Sequence, residues 1–271
     1  MKKIILIIIV LLISLALQGE RKSSNIIWNK GIIQSKALAG LNISKNGQPL
    51  NEFGSVISIN RGRTLAYREA EMRARANLMK ELKKIHISSG LSVDSILSDP
   101  LSRKKLSHII RFETNVKLYP VNFMQSGCEI KLKLKTLIKA IPVQFPQDNF
   151  PTRDDIEVST EYTSLIIDTR ELSIRPMIFP VVYNESGLEV YSKIHINPQF
   201  INNSGIVSYV FNEREAYKHK NAGTKPFLTA ALKNLKNSPV ISDKDIKKIF
   251  SSKITLKHLK RCKVIFIIDR S

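Results

Sequence analysis

The stretch Thr64 to Ile85, TLAYREAEMRARANLMKELKKI, constrains the fold most. Neither Gly nor Pro interrupts it, and nearly every residue is a good helix former. Tyr67, Ala70, Ala74, Leu78, Leu82 and Ile85 recur at spacings of three and four, so they share one face of a long amphipathic helix. Glu69 with Arg73, and Glu71 with Arg75, are i,i+4 pairs in the favourable acid-first order. Small alanines on the apolar face let such a helix lie close against a sheet. Thr64 is the expected N-cap. The first half of the protein is expected to be built around this helix, as scaffold.

At 271 residues and 43% hydrophobic, the chain can bury a substantial core, and two domains of ordinary size fit. Its formal charge of +20 favours polyanion partners such as anionic lipid, lipopolysaccharide or cell-wall polymers. The bland alternative is a lysine-rich solvated surface. Lys2 and Lys3 precede an apolar run from Ile4 to Leu17, the n-region and h-region of a signal peptide. The run is short for a spanning helix, which needs roughly 20 apolar residues. Ser14 and Ala16 suit a cut before Leu17, and Gly19 offers a second site. No Cys follows for lipid attachment. The expectation is an exported protein, with an uncleaved anchor as the alternative. Export disfavours a nucleic-acid partner despite the charge.

Taken in order, Arg21 to Lys30 reads as a flexible leader pinned by Trp28, and Lys36 to Ile43 and Ser55 to Asn60 as strands. Arg61-Gly62-Arg63-Thr64 then joins strand to helix. That turn either holds an anion on exposed N–H groups or simply caps the helix. A weaker helical stretch spans Ser92 to Ile110, with Pro100 breaking or starting part of it. A hairpin follows: Phe112, Thr114, Val116 and Leu118 alternate with polar residues, Gln125-Ser126-Gly127 turns, and Cys128, Ile130, Leu132 and Leu134 return. Lys131, Lys133 and Lys135 occupy the opposite face, either as a cationic strip for an anionic partner or as edge protection against aggregation.

A strand leading into an alanine- and arginine-rich helix with Ala76-Asn77-Leu78, then a second helical stretch, then a hairpin, resembles the domain of the twenty-kilodalton envelope lipoprotein family. The amino-terminal domain of flagellar assembly protein T is similar. The resemblance covers roughly residues 31–140 and implies an envelope location, and a flagellar or secretory association, rather than a reaction.

Ile141 to Pro151 holds three prolines in eleven residues and reads as a stiff connector. Beyond it come strands at Tyr162 to Ile167, Met177 to Tyr183 and Leu188 to Tyr191. Thr224 to Leu235 is ambiguous between strand and helix, and a helix start lies at Ser242. Cys262 to Ile268, CKVIFII, is the kind of strand buried on both faces. This order of segments resembles the carboxy-terminal half of bacterial envelope proteins that carry both domains. In that group Gly usually stands where this chain has Ser164 and Glu171. The fold class is α+β: two domains, each a small, mostly antiparallel or mixed sheet packed by one or two helices, after a signal peptide. The expected bounds are 1–19 for the signal peptide, 31–140 for the first domain, 141–154 for the linker and 155–271 for the second domain.

Chemistry is sparse. Asp168, Arg170 and Arg175 form either an anion-orienting constellation or a structural ion pair at a strand end. His86, His108, His195, His219 and His258 are dispersed without metal-ligand spacing, so neither metal nor cofactor is expected. Cys128 and Cys262 read as buried free thiols, with a disulfide as the alternative. Asp154-Asp155 reads as solvated linker surface, and there is no GxSxG elbow. The expected role is non-enzymatic: an exported interaction or assembly module of the cell envelope. Its expected partners are envelope proteins or anionic envelope polymers, with peripheral membrane association and self-association both compatible. The alternative is a periplasmic binding module for lipopolysaccharide, peptidoglycan or anionic lipid.

Overall fold

The computed structural model describes residues 24–146, 148–150 and 160–270. The expected signal peptide, Pro151 to Asp154 of the linker and the Asp154-Asp155 pair lie outside the described residues. Secondary structure begins with β1 (Ser24–Ile27), β2 (Ile32–Gly40) and the long helix α1 (Ile59–Lys83). β3 (His86–Ser88), β4 (Leu91–Ser92), α2 (Val93–Ile96) and α3 (Pro100–Phe112) follow, then β5 (Asn115–Asn122) and β6 (Gln125–Lys133). After the connector come β7 (Ser164–Asp168), β8 (Val182–Tyr183), β9 (Glu189–Tyr191), β10 (Ser208–Val210) and α4 (Glu213–Lys218). The chain ends with β11 (Pro226–Ala230), β12 (Lys233–Leu235), β13 (Ser238–Val240), α5 (Asp243–Phe250), α6 (Lys253–Lys260) and β14 (Val264–Ile267). The architecture is α+β, as the sequence pattern predicts.

The chain forms two compact units. Unit 1 comprises Gln34–Met79 and Val116–Ile130 with residues 24 and 25; unit 2 comprises Ile26–Ile33, Lys80–Asn115 and the described residues from 131 onward.

In unit 1, the apolar stripe of α1 runs through Ala66, Ala70, Ala74 and Leu78, all at most 2% exposed. The helix sits against β2 with polar groups placed to match. Ser35 donates its hydroxyl to the Ala74 carbonyl at 2.8 Å. Arg73 Nη1 and Asn77 Nδ2 donate to the carbonyls of Leu38 and Lys36 at 3.2 and 3.4 Å. Asn77 of the Ala-Asn-Leu motif is thus a helix-to-strand fastener. Both predicted i,i+4 ion pairs form, at 2.5 Å for Glu69–Arg73 and 2.7 Å for Glu71–Arg75.

The helix starts earlier than the sequence suggests. Ile59 and Asn60 are helical, so no strand spans Ser55 to Asn60, where only Val56 bridges Leu50. Ser58 Oγ accepts from the Arg61 amide at 3.3 Å, while Thr64 lies inside the helix with its hydroxyl on the Asn60 carbonyl. Gly62 is therefore helical, and its amide is spent on the Ser58 carbonyl at 3.0 Å. That removes the anion-holding turn. Glycine suits this position because a Cβ would come 3.1 Å from the Cβ of Pro49.

The hairpin also differs in register. Phe112 ends α3, and the turn falls at Phe123-Met124. Gly127 lies within β6, where a Cβ would come 2.5 Å from the Tyr119 ring; the glycine makes room for a cross-strand aromatic rather than a bend. The sheet order is β1-β2-β6-β5, so β6 is an interior strand. Its lysines are consequently not edge guards.

Unit 2 is organised on a parallel sheet, order β10-β14-β7-β11. The CKVIFII run supplies β14, central and buried at every position, as its continuous apolar character demands. Ala216 of α4 packs with Ile166, Val210, Ile265 and Ile267 on this sheet. A second sheet has the order β12-β13-β8-β9. Of the strand expected from Met177, only Val182–Tyr183 is regular; Met177 instead bridges His86, and the Ile178 and Phe179 amides donate to the carbonyls of His86 and Ile87. Residues 24–30 are not a loose leader: Ser24–Ile27 is a strand, and Trp28 meets Tyr209 edge-on at 5.3 Å. Predicted starts hold at Pro100, where Asp99 caps α3, and at Ser242, which caps α5.

Candidate functional site

At the carboxyl end of β7, Asp168 and Arg170 do come together. Arg170 Nε donates to both Asp168 oxygens at 2.8 and 3.1 Å, its Nη2 adds a third bond to Oδ2, and its backbone amide donates to Oδ1 at 3.1 Å. Arg170 Nη2 also reaches Glu213 Oε1 at 3.3 Å. The guanidinium hydrogen bonds hold the Asp168 carboxyl below its ordinary range, and the same bonds raise Arg170. The carboxylate is thereby satisfied within the corner. Glu171 next to it takes a left-handed backbone, φ 69°, with its amide on Asp269 Oδ2 at 3.1 Å. A glycine would adopt that conformation without strain. Arg175 does not join the pair. It is exposed, and its backbone N–H and C=O bond the side chain of Asn237 at 2.8 and 3.0 Å.

Lys131 and Lys133 are exposed on β6, and Lys135 is exposed on the 3-10 turn that follows. The neighbouring Glu129 accepts from Gln34 Nε2 at 2.5 Å and lies 3.8 Å from Lys36 Nζ. Cys128 and Cys262 are free, buried thiols. Burial pushes their pKa values up to about 11 and about 12, so neither is a nucleophile at neutral pH. Among the described residues no group of three or more His, Cys, Asp or Glu can hold a metal ion. No helix among them is long and apolar enough to cross a membrane.

The feature that sequence reading misses is an exposed apolar end of unit 1. Phe53 is 83% exposed, Phe123 63% and Val56 60%, with Ile43, Val121 and Met124 also exposed. These side chains ride on well-fastened turns. The Leu41 amide donates to the Met124 carbonyl at 2.9 Å, tying the hairpin tip to the loop before α1. Within that loop Ile43 bridges Pro49 and Leu50 bridges Val56. Asn51 Oδ1 accepts from the amides of Phe53 and Ser55 at 3.0 and 2.8 Å, presenting Phe53 at the apex of a turn. Asn122 Oδ1 accepts from the Met124 amide at 2.9 Å in the same manner. The Arg63 guanidinium lies 5.1 Å over the Phe123 ring, and Arg61 is exposed on the same first turns of α1. Exposed apolar side chains held on ordered turns make this the candidate contact surface of unit 1. In sequence Phe53 and Phe123 are isolated aromatics within polar turn residues, each following an Asn by one or two positions, and no motif marks them.

Residues 164–270 match the family model of the second domain of Treponema pallidum Tp0624. No curated protein matches the chain.

Proposed function

We propose that this chain is a non-enzymatic, exported module of a bacterial cell envelope, and that the apolar end of unit 1 seats it on an anionic lipid surface. The observation that carries the reading is Phe53 and Phe123 exposed on fixed turns, with the Arg63 guanidinium over the Phe123 ring and Arg61 exposed on the same helix start. Amphipathic insertion joins buried apolar area to electrostatic attraction, and each basic residue near an anionic bilayer adds about 1 kcal/mol. The formal charge of +20 acts in the same direction. The Lys2-Lys3 run into apolar residues supports export, and the match to a domain of a Treponema protein agrees with a bacterial setting. The Asp168–Arg170 corner serves as a structural ion pair in this reading. Exposed Lys131, Lys133 and Lys135 offer further cationic groups to anionic envelope polymers.

Fractionation of native cells tests this. The chain is expected in the envelope fraction and is expected to be released by about 1 M salt, where the Debye length falls to about 3 Å. Recovery in the cytosol contradicts export; retention at high salt until detergent is added assigns attachment to the apolar amino-terminal run instead. The resemblance to flagellar assembly protein T adds one arm: a deletion strain with normal motility and flagella removes the flagellar version.

A further inference from the structure

Unit 2 contains two cavities that share Asp148 and His195. The larger, about 550 Å³, carries Glu189 and Asp243 with one cation, Lys247, at its polar rim, so that with the shared Asp148 it is net acidic; it is apolar along Leu188, Val190 and Ile246. The smaller, about 260 Å³, is basic, with Lys257, Lys260 and Arg261. Together they have the size of a small-ligand site. Among the described residues, Asp148, Glu189, Asp243, Lys257, Lys260 and Arg261 form no ion pair, although both signs line the same cleft. Glu189 takes a hydrogen bond from Ser192 Oγ, Lys260 reaches Asn149 Oδ1 at 3.4 Å, and Arg261 lies 5.3 Å over the Phe200 ring. The charges are thus positioned but not neutralised.

His195 sits between the two ends. It is only 5% exposed, stacks on Phe150 at 4.8 Å and 11°, and its Nδ1 is enclosed with no hydrogen-bond partner. Burial lowers the ring's pKa, against the pull of Glu189 and Asp148, so the ring is neutral at pH 7. An enclosed N–H without an acceptor is the costlier orphan, which places the single ring proton on Nε2. The ring then offers an N–H donor where the two cavities meet.

We propose that this cleft binds a short peptide through both of its charged ends. The carboxylate lies against Lys257, Lys260, Arg261 and the His195 Nε2–H. The ammonium lies against Glu189 and Asp243, and the apolar side chains lie along Leu188, Val190 and Ile246. Charges of opposite sign at the two ends of an apolar trough select a dipolar ligand over a simple anion, because a ligand with one charge leaves the opposite set unmatched. This goes beyond the lipid-surface reading, uses different residues and fails separately from it.

The test is titration of the whole chain with trileucine, its carboxy-terminal amide and its amino-acetyl form, read by calorimetry and by the ring resonances of His195. Trileucine is expected to bind saturably and shift those resonances, with each blocked form about tenfold weaker or worse. Lys257→Ala with Arg261→Ala, both at exposed positions, should weaken trileucine about tenfold while leaving the amide unchanged. Glu189→Gln should do the same for trileucine against the acetyl form. Absence of saturable binding, or equal binding of free and blocked peptides, overturns the proposal. Unchanged circular dichroism of the variants excludes misfolding as the cause.

Discussion

Truncating Phe53 and Phe123 to alanine should detach the protein from anionic lipid without disturbing its fold. A phenylalanine presents roughly 200 Å². At 83% exposure, Phe53 offers about 170 Å² to lipid, worth up to about 4 kcal/mol at 25 cal/mol per Å². Phe123, at 63%, offers up to about 3 kcal/mol by the same conversion. A ring seated in the headgroup region is incompletely dehydrated, and alanine keeps its methyl, so about 2 kcal/mol per site is the expected loss. That is roughly 30-fold in partition coefficient for each variant and several hundred-fold for the pair, if the two add. Neither side chain is buried, so unfolding free energy should move by no more than about 0.5 kcal/mol. Flotation with phosphatidylglycerol vesicles reads the partition, and urea unfolding reads the stability. If the double variant floats within about threefold of wild type, a difference of less than about 0.7 kcal/mol, the aromatic tips are not the attachment and the argument from exposed area is refuted.

Three further outcomes are expected. Tyr209→Phe should cost about 2–3 kcal/mol in urea unfolding, because the lost hydroxyl both donates to the Met177 carbonyl at 2.7 Å and accepts its amide at 3.0 Å inside the core. The depressed Asp168 carboxyl contributes stability that is present above its unfolded value of about 4 and is lost as pH falls through the lower folded value; Asp168→Asn should therefore lose stability at neutral pH and show a shallower acid limb below about pH 4 in the same assay. Cys128 and Cys262 should resist iodoacetamide at about pH 8 in the native protein and both react in denaturant, as mass spectrometry would show; rapid native labelling would contradict their burial.

What could be read from the chain beforehand follows physical lines. The α1 stripe and the CKVIFII strand were legible because their periodicity reports burial on one face or on two. Ser242 was legible as a helix start because capping is local chemistry, whereas Pro100 left open whether it broke or started a helix until Asp99 was seen to cap it. Glycine was ambiguous. Gly127 and Gly62 look like turns, yet each is there for a close approach by a distant group, Tyr119 or Pro49, which no local pattern records. The lysines of β6 looked like edge protection because strand order is a tertiary fact. The Asp168–Arg170 pair is two residues long in sequence and could be anticipated; Arg175, five residues on, belongs to Asn237 instead. Phe53, Phe123 and His195 carried no motif. Their significance comes from exposure in the first two and from enclosure in the third, and only the folded chain assigns those.

The lipid-surface claim is tested most directly by Phe53→Trp, with tryptophan emission recorded as difference spectra against the wild type, whose only indole is Trp28. Insertion of the turn apex predicts a blue shift when phosphatidylglycerol vesicles are added, reversed by salt and absent with phosphatidylcholine. An indole at position 53 that stays at its aqueous emission maximum with bound anionic vesicles would contradict it.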